Sequence, residues 1–315
     1  MTSLALPALP QAIEAELNRL EELIPESQRK GVAEKEIALA LEGLSPIRED
    51  LAKGKVYVAF DRLARSQDLL ASAAFLSRHQ QEVQDARSFL ALWEADGPDL
   101  EEQTARLRKT GFSGRSALVQ SRGEIATYRI LTHYRASKMY AKVGIQGGLY
   151  YLGSAHAAAE LASFCSRIED EPKGALPRFR PLVEVEAELS KSTVAAYGNG
   201  DASTVHHQNF IRLDSALKEA RQLIADQRGY GAVASILEAR FRLGIIQVDP
   251  GAPTPDPDRA PYRARLFDPA FDHSLALSLW ERALDRVASS EEKDRREAAI
   301  LLEEVIPFYF QLLEE

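Results

Sequence analysis

YAKVGIQGGLYYLGSAHAAAEL, residues 140–161, places four glycines, three tyrosines and a histidine in one largely apolar stretch. Three structures suit such a composition: a membrane span, a glycine loop that cradles phosphate, or the bend and second helix of a packed hairpin. A spanning helix needs about 18 nearly uninterrupted apolar residues. Gly144, Gln146, Gly147, Gly148, Ser154, His156 and Glu160 break the run, and no better candidate occurs elsewhere. A phosphate cradle presents converging N–H groups at a helix start, normally after a strand. GIQGG follows no strand-like segment and no GK[ST] follows it. The hairpin remains. Gly144, Gly147 and Gly148 supply the bend, and Ala155, Ala157, Ala158, Ala159 and Ala162 let a helix come close to its neighbours. Leu149, Leu152, Leu161 and Phe164 make it a helix built to be surrounded.

The same period of three and four governs most of the chain, and alternating β-branched runs are nearly absent. The spacing predicts helices near 9–24, 31–43, 46–53, 55–95, 99–109, 114–143, 147–169, 179–197, 203–227, 231–246, 273–288 and 291–314. Pro25, Gly54, Gly97-Pro98, Gly111, EPKGALP at 171–177 and GNGD at 198–201 punctuate them. The span 55–95 reads as one long helix or as two broken near Ser77–His79. Six prolines in 249–272 predict an extended, exposed crossover. Pro307 is expected to kink or end the last helix, leaving Phe308, Tyr309 and Phe310 as anchors. The domain reading is a helical-hairpin array over 1–248, the proline-rich crossover 249–272, and a C-terminal hairpin 273–315 packing on the array.

Shifted by 84 residues, the opening stretch lies over IADQRGYGAVASILEA: Ala141 on Ala225, Gly147 on Gly231, Leu149 on Val233, Leu152 on Ile236 and Ala155 on Ala239. LAKGKVYVAFDRLA, 51–64, is a looser third instance. Gly229, Tyr230, Leu237 and Leu243, with the Leu152-Gly153 pair, resemble a tetratricopeptide-type repeat over about a third of the chain. The resemblance implies stacked helical hairpins with a concave surface for partners. The fold expectation is therefore all-α: stacked hairpins, α-solenoid-like, with closure into a compact helical bundle as the alternative.

Composition excludes more than it identifies. With 315 residues, 45% hydrophobic, the chain can bury a large core without metal or disulfide help. The single cysteine, Cys165, lies in the apolar run ELASFCSRI and reads as a small buried hydrophobe. No Glu-x-x-His pair occurs, so the di-iron pattern of helical bundles is missing and no metal or other cofactor is expected. No GxSxG appears, and catalytic residues stay unassigned. The N-terminal MTSLALPALPQAIEAEL has no basic and long-apolar signal pattern, which predicts a cytoplasmic protein.

Charge is the sharpest anomaly. The chain carries −8, yet residues 106–142 hold nine cations and one anion, a local balance of +8 that leaves −16 for the rest. Arg115, Arg122 and Arg129 recur every seven residues and form one stripe on a helix, which drifts only about 20° per heptad. Lys138 and Lys142 fall on roughly the opposite side. With Arg135, Tyr128, Tyr134 and Tyr140 nearby, the segment suits phosphates and stacked bases, an acidic protein, or the chain's own carboxylates. The leading functional expectation is a non-catalytic scaffold or adaptor for a protein partner, with self-association open. The rivals are a phosphate or nucleic-acid binder using 106–142 and a helical enzyme acting on a small substrate.

Overall fold

The computed structural model describes residues 8–28, 34–198, 204–248 and 260–314. Among them the ordered elements are helices, joined by two isolated β-bridges. The chain divides into two compact units, 1–115 with 122–170, and 116–121 with 171–315. This boundary falls inside the array expected over 1–248 and places 273–315 with the residues after 171. Its physical cause is the EPKGALP stretch: the chain turns extended at Ile168 and resumes helix only at Leu182.

The first unit contains α1 (Leu9–Gln28), α2 (Glu34–Leu44), α3 (Ile47–Ala52), α4 (Val56–His79), α5 (Ala86–Thr110), the bulk of α6 (Ala117–Ala141), and α7 (Ile145–Arg167). Helix α4 is its centre, with α1, α2, α3 and α7 packed on it. Phe60, Leu63 and Leu70 of α4 are fully buried, as are Ile13, Leu17 and Leu20 of α1 and Ala155, Ala157 and Ala162 of α7. The small residues of the opening stretch have the use expected of them. A Cβ on Gly153 would stand 2.8 Å from Phe75 Cβ and 3.0 Å from the Ser72 carbonyl oxygen, so α4 and α7 approach to near backbone contact. Ser72 Oγ and Ser154 Oγ meet beside it at 2.9 Å.

Several expected boundaries are corrected. Of the bend glycines, only Gly144 precedes α7; Gly147 and Gly148 lie within its first turns. The span 55–95 is two helices, the second of the two readings left open: the first ends at His79, and Asp85 starts α5 with a reciprocal capping box to Ser88. That helix then runs through Gly97-Pro98, where sequence predicted a stop. Pro98 gives no N–H to the preceding turn and opens it. The Tyr134 hydroxyl donates to the neighbouring Trp93 carbonyl at 3.0 Å, and the close fit of Tyr134 against Gly97 leaves no room for a Cβ there.

The second unit contains α8 (Leu182–Tyr197), α9 (His207–Ala225), α10 (Gly229–Gln247), α11 (Ala260–Leu266), α12 (Ser274–Val287), α13 (Glu292–Ile300) and α14 (Ile306–Leu312). The α9–α10 hairpin is its largest contact, joined by α8, and α12 packs on α13. Of the proline-rich crossover, 249–259 lies outside the described residues, and 260–266 is helical rather than extended. Residues 270–272 then run alongside Ala175, which donates to the Ala270 carbonyl and accepts from Asp272 N–H. Pro307 does not end the last helix. A π turn, Leu301–Val305, widens the backbone so that Ile306 N–H bonds the Leu301 carbonyl, and the helix resumes through the proline.

Candidate functional site

The basic segment does not present one stripe. Helix α6 begins at Ala117, not near 114, so Arg115 lies in the preceding turn. Its guanidinium donates to the carbonyls of Cys165 (3.2 Å) and Ser166 at the C-terminal end of α7, where unpaired carbonyls and the helix dipole favour a cation. Arg122 pairs with Asp61 at 2.7 Å. Arg129 is exposed on α6, and Tyr128 is half-buried.

The N-terminus of α6, where free N–H groups and the helix dipole would favour an anion, is already occupied by side chains. Ser116 Oγ accepts from Val119 N–H, the Asp272 carboxylate from Ala117 N–H, and Ser274 Oγ from Leu118 N–H. Asp272 also accepts from the backbone of Lys173 and Ser274. Beside it, the buried His273 ring meets the Tyr309 hydroxyl at 3.0 Å, and burial lowers the His273 pKa and raises that of Tyr309.

The C-terminal end of α6 is different. Tyr134 is committed to structure: its ring stacks on Trp93 at 4.4 Å, and Trp93 Nε1 donates back to its carbonyl. Lys138 covers that pair, with its ammonium 4.2 Å from the Trp93 ring. Beyond it Met139, Tyr140 and Val143 are 70%, 45% and 90% exposed, three apolar residues close together in the chain. Tyr140 stacks on Tyr151 at 4.0 Å, which fixes its ring, and burial with the Tyr140 hydrogen bond pushes the Tyr151 hydroxyl up to about 12. Arg135, Lys138 and Lys142 lie in the same stretch of chain and are exposed; none of the three has a carboxylate partner among the described residues. The structure thus brings Arg135 and Lys138 together with Lys142 and separates them from Arg115 and Arg122.

Sequence reading missed the first unit's cleft, about 950 Å³, bounded by α1, α4, α5 and α7. Four arginines line it, Arg19, Arg106, Arg115 and Arg167, against two glutamates, Glu16 and Glu160. Arg19 binds both glutamates, at 2.6 and 2.9 Å. Burial works against the Arg19 charge, but the two carboxylates outweigh it and raise its pKa. On the cleft wall lies Gln67 of α4, 0% exposed, whose Nε2 and Oε1 both lack a hydrogen-bond partner among the described residues. These residues come from four distant segments, so no local spacing could have announced them.

His156 also lines the cleft. Its Nε2 meets Asp96 at 2.9 Å, and its ring stacks on Phe75, which in turn contacts His79. An aspartate orients a histidine in this way in acid–base sites, yet no hydroxyl or thiol among the described residues hydrogen-bonds this ring. Cys165 lies fully buried, and desolvation pushes its thiol up to about 12, opposite to what a nucleophile needs. Among the described residues no three metal-ligating groups converge, and no helix is long and apolar enough to cross a membrane.

Fold and site together define an all-helical protein with an exposed apolar and cationic corner and an arginine-lined cleft. No family model, no curated protein and no solved structure matches the chain.

Proposed function

We propose that the protein is a helical adaptor whose α6–α7 corner docks an acidic protein partner. The observation that carries this reading is the exposure of Met139, Tyr140 and Val143 in the same short stretch of chain as Arg135, Lys138 and Lys142. Rigid aromatic and apolar centres with charged rims are how protein interfaces divide affinity from steering. Three cations without carboxylate partners among the described residues give the rim a sign, and that sign selects an acidic surface. Two helix pairs with a glycine at the joint, α6–α7 and α9–α10, support the repeated-hairpin scaffold that the tetratricopeptide resemblance implied. A cytoplasmic setting is part of the same proposal.

The test compares wild-type chain with two variants in pull-downs at low and high salt: Met139→Asp with Val143→Asp, and Arg135, Lys138 and Lys142 all changed to Glu. A stoichiometric partner with an acidic surface should be lost from the first variant at any salt. The second should lose it chiefly through slower association. A partner retained equally by both variants refutes the corner as the docking site.

A further inference from the structure

We propose that the first unit's cleft binds a small organic anion that carries, besides its phosphate or carboxylate, one group able both to donate and to accept a hydrogen bond. The site is separate from the α6–α7 corner. Its volume, about 950 Å³, lies in the range of small-molecule sites. Two kinds of unmet demand converge there.

The first is Gln67. A buried amide left without partners is costly, and native proteins keep few such groups without reason. Both polar atoms of this side chain lack a partner among the described residues, and the residue borders the cleft. An amide offers one acceptor and two donors, so its natural complement is another amide, a hydroxyl or the edge of a base.

The second is cationic. Arg19 is committed to Glu16 and Glu160. Arg106 has no hydrogen-bond or ion-pair partner for its guanidinium among the described residues, and Arg167 donates only to the Ser163 carbonyl one turn back on its own helix. Two guanidiniums without carboxylates beside an orphaned amide match an anionic group and a neutral polar group on one molecule.

The experiment is calorimetric titration of the full-length chain with adenosine monophosphate, glucose 6-phosphate, citrate and N-acetylglutamate, with inorganic phosphate and adenosine as controls. At least one organic anion should bind. Arg106→Ala combined with Arg167→Ala, both surface changes, should weaken it by about tenfold or more. Gln67→Leu should weaken it by about tenfold. Binding by the phosphate esters alone assigns the anion as phosphate, and binding by the acids alone assigns it as carboxylate; either supports the proposal. Met139→Asp, at the corner, should leave the affinity unchanged, which separates this site from the docking reading. The proposal is overturned if none of the four organic anions binds, if inorganic phosphate binds as tightly as the best of them, or if the cleft variants bind like wild type.

Discussion

Replacing Gln67 by methionine should make the ligand-free protein more stable. The side chain is 0% exposed and both polar atoms lack partners among the described residues, so the folded state carries an amide desolvation cost that water repays only after unfolding. Leaving a buried polar group unsatisfied costs about 1–3 kcal/mol. Methionine has nearly the same length and shape without the amide, and such volume-conserving swaps cost less than about 1.5 kcal/mol in packing. The expected net gain is about 1 kcal/mol, near the middle of the range left after that subtraction. For a unit of this size it corresponds to a rise in Tm of about 2–4 °C per kcal/mol. Urea unfolding followed by far-UV circular dichroism measures it, with an unchanged slope showing that the unfolded state is unaltered. A variant less stable than wild type by about 1 kcal/mol or more would refute the reasoning. It would mean that ordered water satisfies the amide in the free protein, and the demand that points to a ligand would vanish.

Gly153→Val should destabilise the first unit by about 1–3 kcal/mol through overpacking, since its Cβ would meet Phe75 and the Ser72 backbone; thermal unfolding reads the loss, and an unchanged Tm would show that α4 and α7 can separate freely. Cys165 should resist thiol reagents at neutral pH in the folded chain and react fully in denaturant, because the thiol is buried and its pKa is pushed up to about 12; rapid labelling of the native protein would contradict the packing of α7. Burial, joined by the Arg78 charge, lowers the His79 pKa, and burial lowers that of His273. The unfolded chain therefore binds more protons once pH falls below the ordinary histidine value of about 6.5. Their contribution to stability is present above that value and is lost on acidification through the folded pKa values. Tm should fall between pH 7 and 5, and less steeply in His79→Gln; an equal fall in that variant would exclude His79 from the effect.

Local chemistry was legible wherever a property repeats within one helix. The three-and-four periodicity gave helices near their observed positions. The alanine-rich face of 145–167 announced a surrounded helix, and an apolar setting announced that Cys165 would be buried. Prolines misled because a helix can continue through one: α5 runs on through Pro98, and a π turn accommodates Pro307. The sevenfold spacing of Arg115, Arg122 and Arg129 suggested a stripe only while all three were assumed to share a helix.

The sequence by itself determined the helical class, since amphipathic period and glycine or proline punctuation are properties of neighbouring residues. It also located the excess of cations in 106–142. Only the tertiary structure decided which cations are already used. Arg115 closes the end of α7 and Arg122 meets Asp61, whereas Arg135, Lys138 and Lys142 remain at an exposed corner. The cleft belongs wholly to that second kind of information. Arg19, Gln67, Arg106 and Arg167 stand on four helices, and residues so far apart in the chain acquire a common purpose only when packing sets their helices around one space.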